Sequence, residues 1–149
     1  MNIKVSRLKQ SGALIVLIVA GLVSLLGLAI DSGCAYFERR NARQAADLAA
    51  QAGALAMAQG QDFTLAAYTQ AARDGYNNDG TSNLVLVNNP PGMSCDGTTG
   101  SFAGESDYVQ VIIQTDFHVY FAQIVGIHEA HTCVEALEEV TQPAYSFQD

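Results

Sequence analysis

The sequence predicts an α+β protein: a long N-terminal helix, then a small head built on a short antiparallel sheet. Three observations carry that prediction. Residues 13–30 (ALIVLIVAGLVSLLGLAI) hold no charged residue and one hydroxyl, Ser24. Residues 38–57 continue without proline and are dominated by alanine and other strong helix formers. Beyond residue 80 the pattern changes to short β-branched stretches separated by Gly, Asn, Asp and Pro, the mark of strands and turns.

Residues 1–12 form a basic segment with Lys4, Arg7 and Lys9. The 13–30 run would span about 27 Å as a helix, close to a bilayer's hydrocarbon core. Basic residues before it and Asp31 after it place the N-terminus in the cytoplasm and the rest outside. A cleaved secretory signal would have a shorter apolar stretch and a small-residue A-x-A site, which does not follow here. A lipoprotein signal would want an apolar residue where Asp31 precedes Ser32-Gly33-Cys34. A retained membrane helix is therefore expected.

The helix is expected to run on through an Ala-rich extension, residues 31–59, and to stop at Gly60. A single helix over 13–59 would be roughly 70 Å long, too long for a 149-residue chain to bury by itself. Ala42, Ala46, Ala50, Ala54 and Ala58 recur at four-residue spacing, and Ala45, Ala49 and Gly53 form a second row. Small residues in rows let helices approach closely. Between Gln44 and Gln59 the only charge is Asp47, so this stretch is expected to pack against other helices rather than face water. Gly21 and Gly27 add thin spots within the membrane run.

The head is expected over 60–149. Asp62 caps a short helix ending at Arg73. Leu84–Val87 reads as a strand, 88–104 as a long turn-rich stretch, and Tyr108–Thr115 as the best strand of the chain. Phe117–Ile127 fits a strand or a short helix equally well. From His131 to Val140, Thr132, Val134 and Ala136 alternate with Cys133, Glu135 and Leu137, which suits a half-buried strand, although the glutamates also permit a helix. Residues 141–149 read as a loose tail.

The net charge of −8 is unevenly spread. Residues 1–43 hold six basic residues against two acids. Residues 74–149 hold eleven acids and no Lys or Arg. An acidic head does not suit nucleic acid and favours cations over anionic partners. No nucleophile elbow, phosphate loop or dinucleotide fingerprint is present, and no Lys or Arg follows Arg73 to stabilise an oxyanion. His128-Glu129-Ala130-His131 lacks the H-E-x-x-H spacing, and Asn77-Asn78-Asp79-Gly80 lacks the distal acids of a calcium loop. Hence no catalytic residue, metal or cofactor is expected, and no enzyme. Cys95 and Cys133 are either two buried thiols or, outside the cytoplasm, a disulfide. Cys34 is then a small packing residue.

Gln10-Ser11-Gly12, the apolar run, Gly27-Leu28-Ala29-Ile30-Asp31-Ser32-Gly33, Tyr36, Arg39-Arg40 and Gln44-Ala45-Ala46-Asp47 with the alanines after it resemble the N-terminal segment of TadE/TadG-like proteins of the Flp (tight-adherence) pilus system. Phe121-Ala122 and Ile124-Val125-Gly126-Ile127 ahead of the last strand are loosely similar as well. The resemblance implies a type IV pilin-like architecture and a structural part of an extracellular bacterial filament or its assembly platform. It implies packing partners that are copies of the same chain or other pilus subunits, a single pass through the inner membrane, and a head outside the cytoplasm. One departure is Leu17, which stands where related subunits carry a glutamate counted from Gly12. The alternative is a membrane-anchored binding module whose acidic head engages an adhesion or envelope partner.

Overall fold

Helix α1 covers Ile3–Ala58, beginning well before the apolar run. Hydropathy marks where a helix can enter lipid; helix propensity, which Lys, Arg, Gln and Leu share, marks how far it can extend. The computed structural model describes residues 3–141, so residues 142–149 of the expected tail lie outside the described residues. Gly60 ends the helix in the left-handed region at φ +69°. Helix α2, Phe63–Arg73, begins where Asp62 accepts the Leu65 N–H at 3.0 Å.

Three strands follow: β1 (Asn83–Asn88), β2 (Tyr108–His118) and β3 (Glu129–Glu139). Their order is β1-β2-β3, with β1 antiparallel to β2 and Val85 opposite Ile113. Val140 N–H reaches the Asp107 carbonyl at 2.7 Å, and His131 pairs with Asp116, so β3 also runs antiparallel to β2. The segment that fitted strand or helix is divided: β2 takes it to His118, and a 3₁₀ turn occupies Ala122–Val125. Gly126 closes that turn at φ +87°.

The chain forms two compact units. One holds the helix as far as Ala35 together with His118–Ala130; the other holds Tyr36–Phe117 and, among the described residues, 131–141. The division between these units falls inside α1, at Ala35/Tyr36. From Tyr36 to Ala58 the Ala-rich extension shares a unit with α2 and most of the sheet.

Within the head unit, Ala42, Ala45, Ala46, Ala49, Ala50 and Ala54 are almost fully buried in one core with Ala67 and Ala71 of α2, Tyr76, and Val85, Val109, Val111, Ile113, Val134 and Ala136 of the sheet. Gly53 marks the closest approach. A Cβ there would stand 3.2 Å from a Val109 methyl and 3.4 Å from the Ala67 methyl. Small residues permit this spacing between helix and sheet.

The opposite face of β2 presents Gln110 and Ile112, also buried. The 88–104 loop supplies partners there. Gln110 Oε1 accepts from Asn88 Nδ2 at 2.9 Å and from the Gly92 N–H at 3.0 Å, while its Nε2 donates to Glu135 at 2.7 Å. A buried amide needs this complete set of partners. A disulfide joins Cys95 in the loop to Cys133 in β3. Cys34 is a half-buried free thiol.

Candidate functional site

In the first unit the apolar run is bare. Its large side chains from Leu14 to Ile30 are exposed, with Leu17 at 71% and Ile30 at 49%. A helix that is apolar all round requires lipid or other protein as its surroundings. Among the described residues this is one helix long and apolar enough, by length and composition, to cross a membrane.

The run ends on Asp31, which is only 8% exposed. Its carboxylate receives three consecutive backbone N–H groups. Tyr120 donates to Oδ1 at 2.9 Å, Phe121 to Oδ1 at 3.2 Å and Oδ2 at 3.0 Å, and Ala122 to Oδ2 at 2.8 Å. These N–H groups open the 3₁₀ turn, where a negative charge is favoured. Asp31 is therefore the fixing point of the segment after β2. One turn earlier, Gly27 is buried under Phe121, and a Cβ there would stand 2.5 Å from the ring. Any larger residue would displace it. An apolar hollow of about 410 Å³ lies beside this contact, walled by Val23, Leu28, Phe121, Ile124 and Ile127.

Removing the carboxylate should free this segment. In Asp31→Ala, hydrogen exchange at the amides of Tyr120, Phe121 and Ala122 is expected to accelerate by about tenfold or more, since each loses a charge-assisted hydrogen bond. Unchanged protection there would show that Asp31 does not hold the turn.

The head unit carries a wide polar groove of about 500 Å³ lined by Glu38, Asp74, Tyr76 and Asp116. Tyr76 donates to Glu38 at 3.0 Å, and burial together with that carboxylate pushes the phenol above its ordinary value. Near its rim Asp79 accepts the N–H groups of Thr81, Ser82 and Asn83. The Asn83 and Thr81 bonds lower its carboxyl from 3.8 to about 2, so the 77–80 stretch is a self-capped turn. Among the described residues no group of three or more His, Cys, Asp or Glu converges to hold a metal ion.

The candidate packing residues fall into different places. Ala42, Ala46, Ala50 and Ala54 lie in the head core, and Ala58 is half-buried. Gly27 seats Phe121, whereas Gly21 has nothing within 4 Å. Asp31 as an anchor was not foreseen. The available signal was an acid placed directly at the end of an uncharged run, together with a second uncharged run, residues 119–127.

The Tad family model, Flp pilus-assembly TadE/G-like, matches residues 11–59. That stretch is the apolar run and the Ala-rich extension of α1, and it includes Asp31. No curated protein and no solved structure matches the chain.

Proposed function

We propose that the chain is a membrane-anchored structural component of a bacterial Flp-type pilus or of the platform that assembles it. The observation that carries this reading is the bare apolar helix of residues 13–30, lying within the segment that matches the pilus-assembly family. Such a helix is stored in the inner membrane with the head outside the cytoplasm. Assembly would exchange its lipid neighbours for helices of adjacent subunits. Of the packing positions expected from the sequence, Gly21 is open and Ala58 half-buried, so these two remain for neighbours, with the exposed Leu, Ile and Val side chains between Leu14 and Ile30 supplying the area. The Cys95–Cys133 bond suits an oxidising compartment outside the cytoplasm. The acidic head, without Lys or Arg after Arg73, keeps neighbouring heads soluble.

Deletion of the chain tests the reading. Cells lacking it are expected to lose surface filaments and to regain them when the full chain is restored. Filaments that persist while attachment to surfaces is lost would instead favour an anchored binding module.

A further inference from the structure

We propose that the segment from Val119 to Ile127 is a second membrane contact, seated at the headgroup–acyl boundary of the bilayer that α1 crosses. It rests on the membrane reading above and adds to it an element that the apolar helix does not by itself require.

Composition is the first support. Val119-Tyr120-Phe121-Ala122-Gln123-Ile124-Val125-Gly126-Ile127 carries no charge, in a chain region otherwise rich in acids. Val119 is buried, but three large side chains of the segment are not folded away: Tyr120 is 65%, Ile124 83% and Ile127 52% exposed. A loop in water seldom presents three large apolar groups so openly within eight residues.

Depth is the second support. Phe121 packs on Gly27, and Ile124 and Ile127 share a hollow with Val23 and Leu28. Val23 lies about 12 Å along the helix from Asp31 at the usual rise per residue. A bilayer that covers the helix as far as Ile30 therefore also reaches these loop residues. Tyr120, with an apolar ring and a polar tip, suits the headgroup level.

The backbone is the third support. Non-helical backbone at membrane depth must satisfy its N–H groups internally. The N–H groups of Tyr120, Phe121 and Ala122 go to Asp31. Those of Ile124, Gly126 and Ile127 go to carbonyls within the segment at 3.0–3.1 Å, and that of Val119 goes to the His128 carbonyl at 3.4 Å. For these seven N–H groups the segment meets the condition that lipid imposes. The occupant is lipid rather than a second copy of the chain because the hollow joining the loop to the membrane run is walled mainly by apolar side chains, and its two polar groups are already engaged: Ser24 donates to the Ala20 carbonyl and Asp31 accepts the Tyr120, Phe121 and Ala122 N–H groups.

The chain contains no tryptophan, so a single introduced one reports its own surroundings. The full chain carrying Ile124→Trp, or Tyr120→Trp as an independent probe, is reconstituted into vesicles of phosphatidylethanolamine and phosphatidylglycerol at high lipid dilution. Emission is expected to shift to the blue and to lose most of its intensity when the lipids are brominated near the headgroup end of the acyl chain. Leu22→Trp, inside the apolar run, is the reference. If it is quenched while both loop probes stay red-shifted and open to aqueous iodide, the loop lies in water and the inference fails while the membrane helix stands. A blue shift that vanishes on dilution with lipid would assign the loop to a second copy, which also overturns it. If Leu22→Trp escapes the brominated lipids too, the membrane reading falls and the inference falls with it.

Discussion

Loss of the Cys95–Cys133 bond, by Cys95→Ser with Cys133→Ser or by reduction, is expected to destabilise the head by about 4 kcal/mol. The bond closes a loop between residues 38 apart in sequence, and the cost follows from the freedom returned to the unfolded chain. Small domains have only about 5–15 kcal/mol in total, so the change is a large part of what is available. It should also act locally. The bond ties the 88–104 loop to β3, and that loop supplies partners for Gln110 on the side of β2 opposite the helix. Denaturant unfolding of the full chain in detergent, with and without reductant, measures the effect. A midpoint that does not move on reduction would show that the loop is held by its other contacts alone. The same experiment bears on location, because a head that depends on this bond folds poorly in a reducing cytoplasm.

Much of the fold was legible because its signals are local. The apolar run and the alanines specify α1 within their own span. Asp62 marks the start of α2 through a hydrogen bond three residues away. The β-branched content of residues 108–115 marks the central strand, and the alternation around Val134 and Ala136 marks the last one. Illegible features depend on partners distant in sequence. A row of small residues specifies that something comes close, and a sheet fits the specification as well as another helix does. Nothing in Ala42, Ala46, Ala50 and Ala54 names Val109 or Ile113 as the surface they meet. Likewise Phe117–Ile127 is too short for its periodicity to decide between strand and helix. Its Tyr120–Ala122 part is held by Asp31, 89–91 residues earlier, whose role emerges only when the chain has folded. The site residue most tied to the membrane run was therefore also the one local reasoning was least able to find.

Leucine in place of Ala50 is expected to cost the head about 1–3 kcal/mol, as overpacking of a filled core does. Ala50 is 1% exposed and belongs to the cluster that contains Val109, Val111 and Ile113. Its neighbour Gly53 already leaves no free room for a methyl against Val109. The added side chain must therefore push the helix off the sheet or leave its preferred rotamer. Gly21→Leu is the matched control, because a Cβ at Gly21 meets nothing within 4 Å. It should leave head stability unchanged and, where α1 packs against other subunits, reduce filament formation. The two variants separate folding from assembly. Ala50→Leu should lower the unfolding midpoint of the full chain in detergent, with any loss of filaments following from fewer folded subunits. An Ala50→Leu chain that unfolds at the original midpoint yet forms no filaments would place the alanine row between subunits rather than inside one. Both residues look alike in the sequence, each a small position on the same helix, so only a measurement that reads stability and assembly separately can tell a core contact from a lateral one.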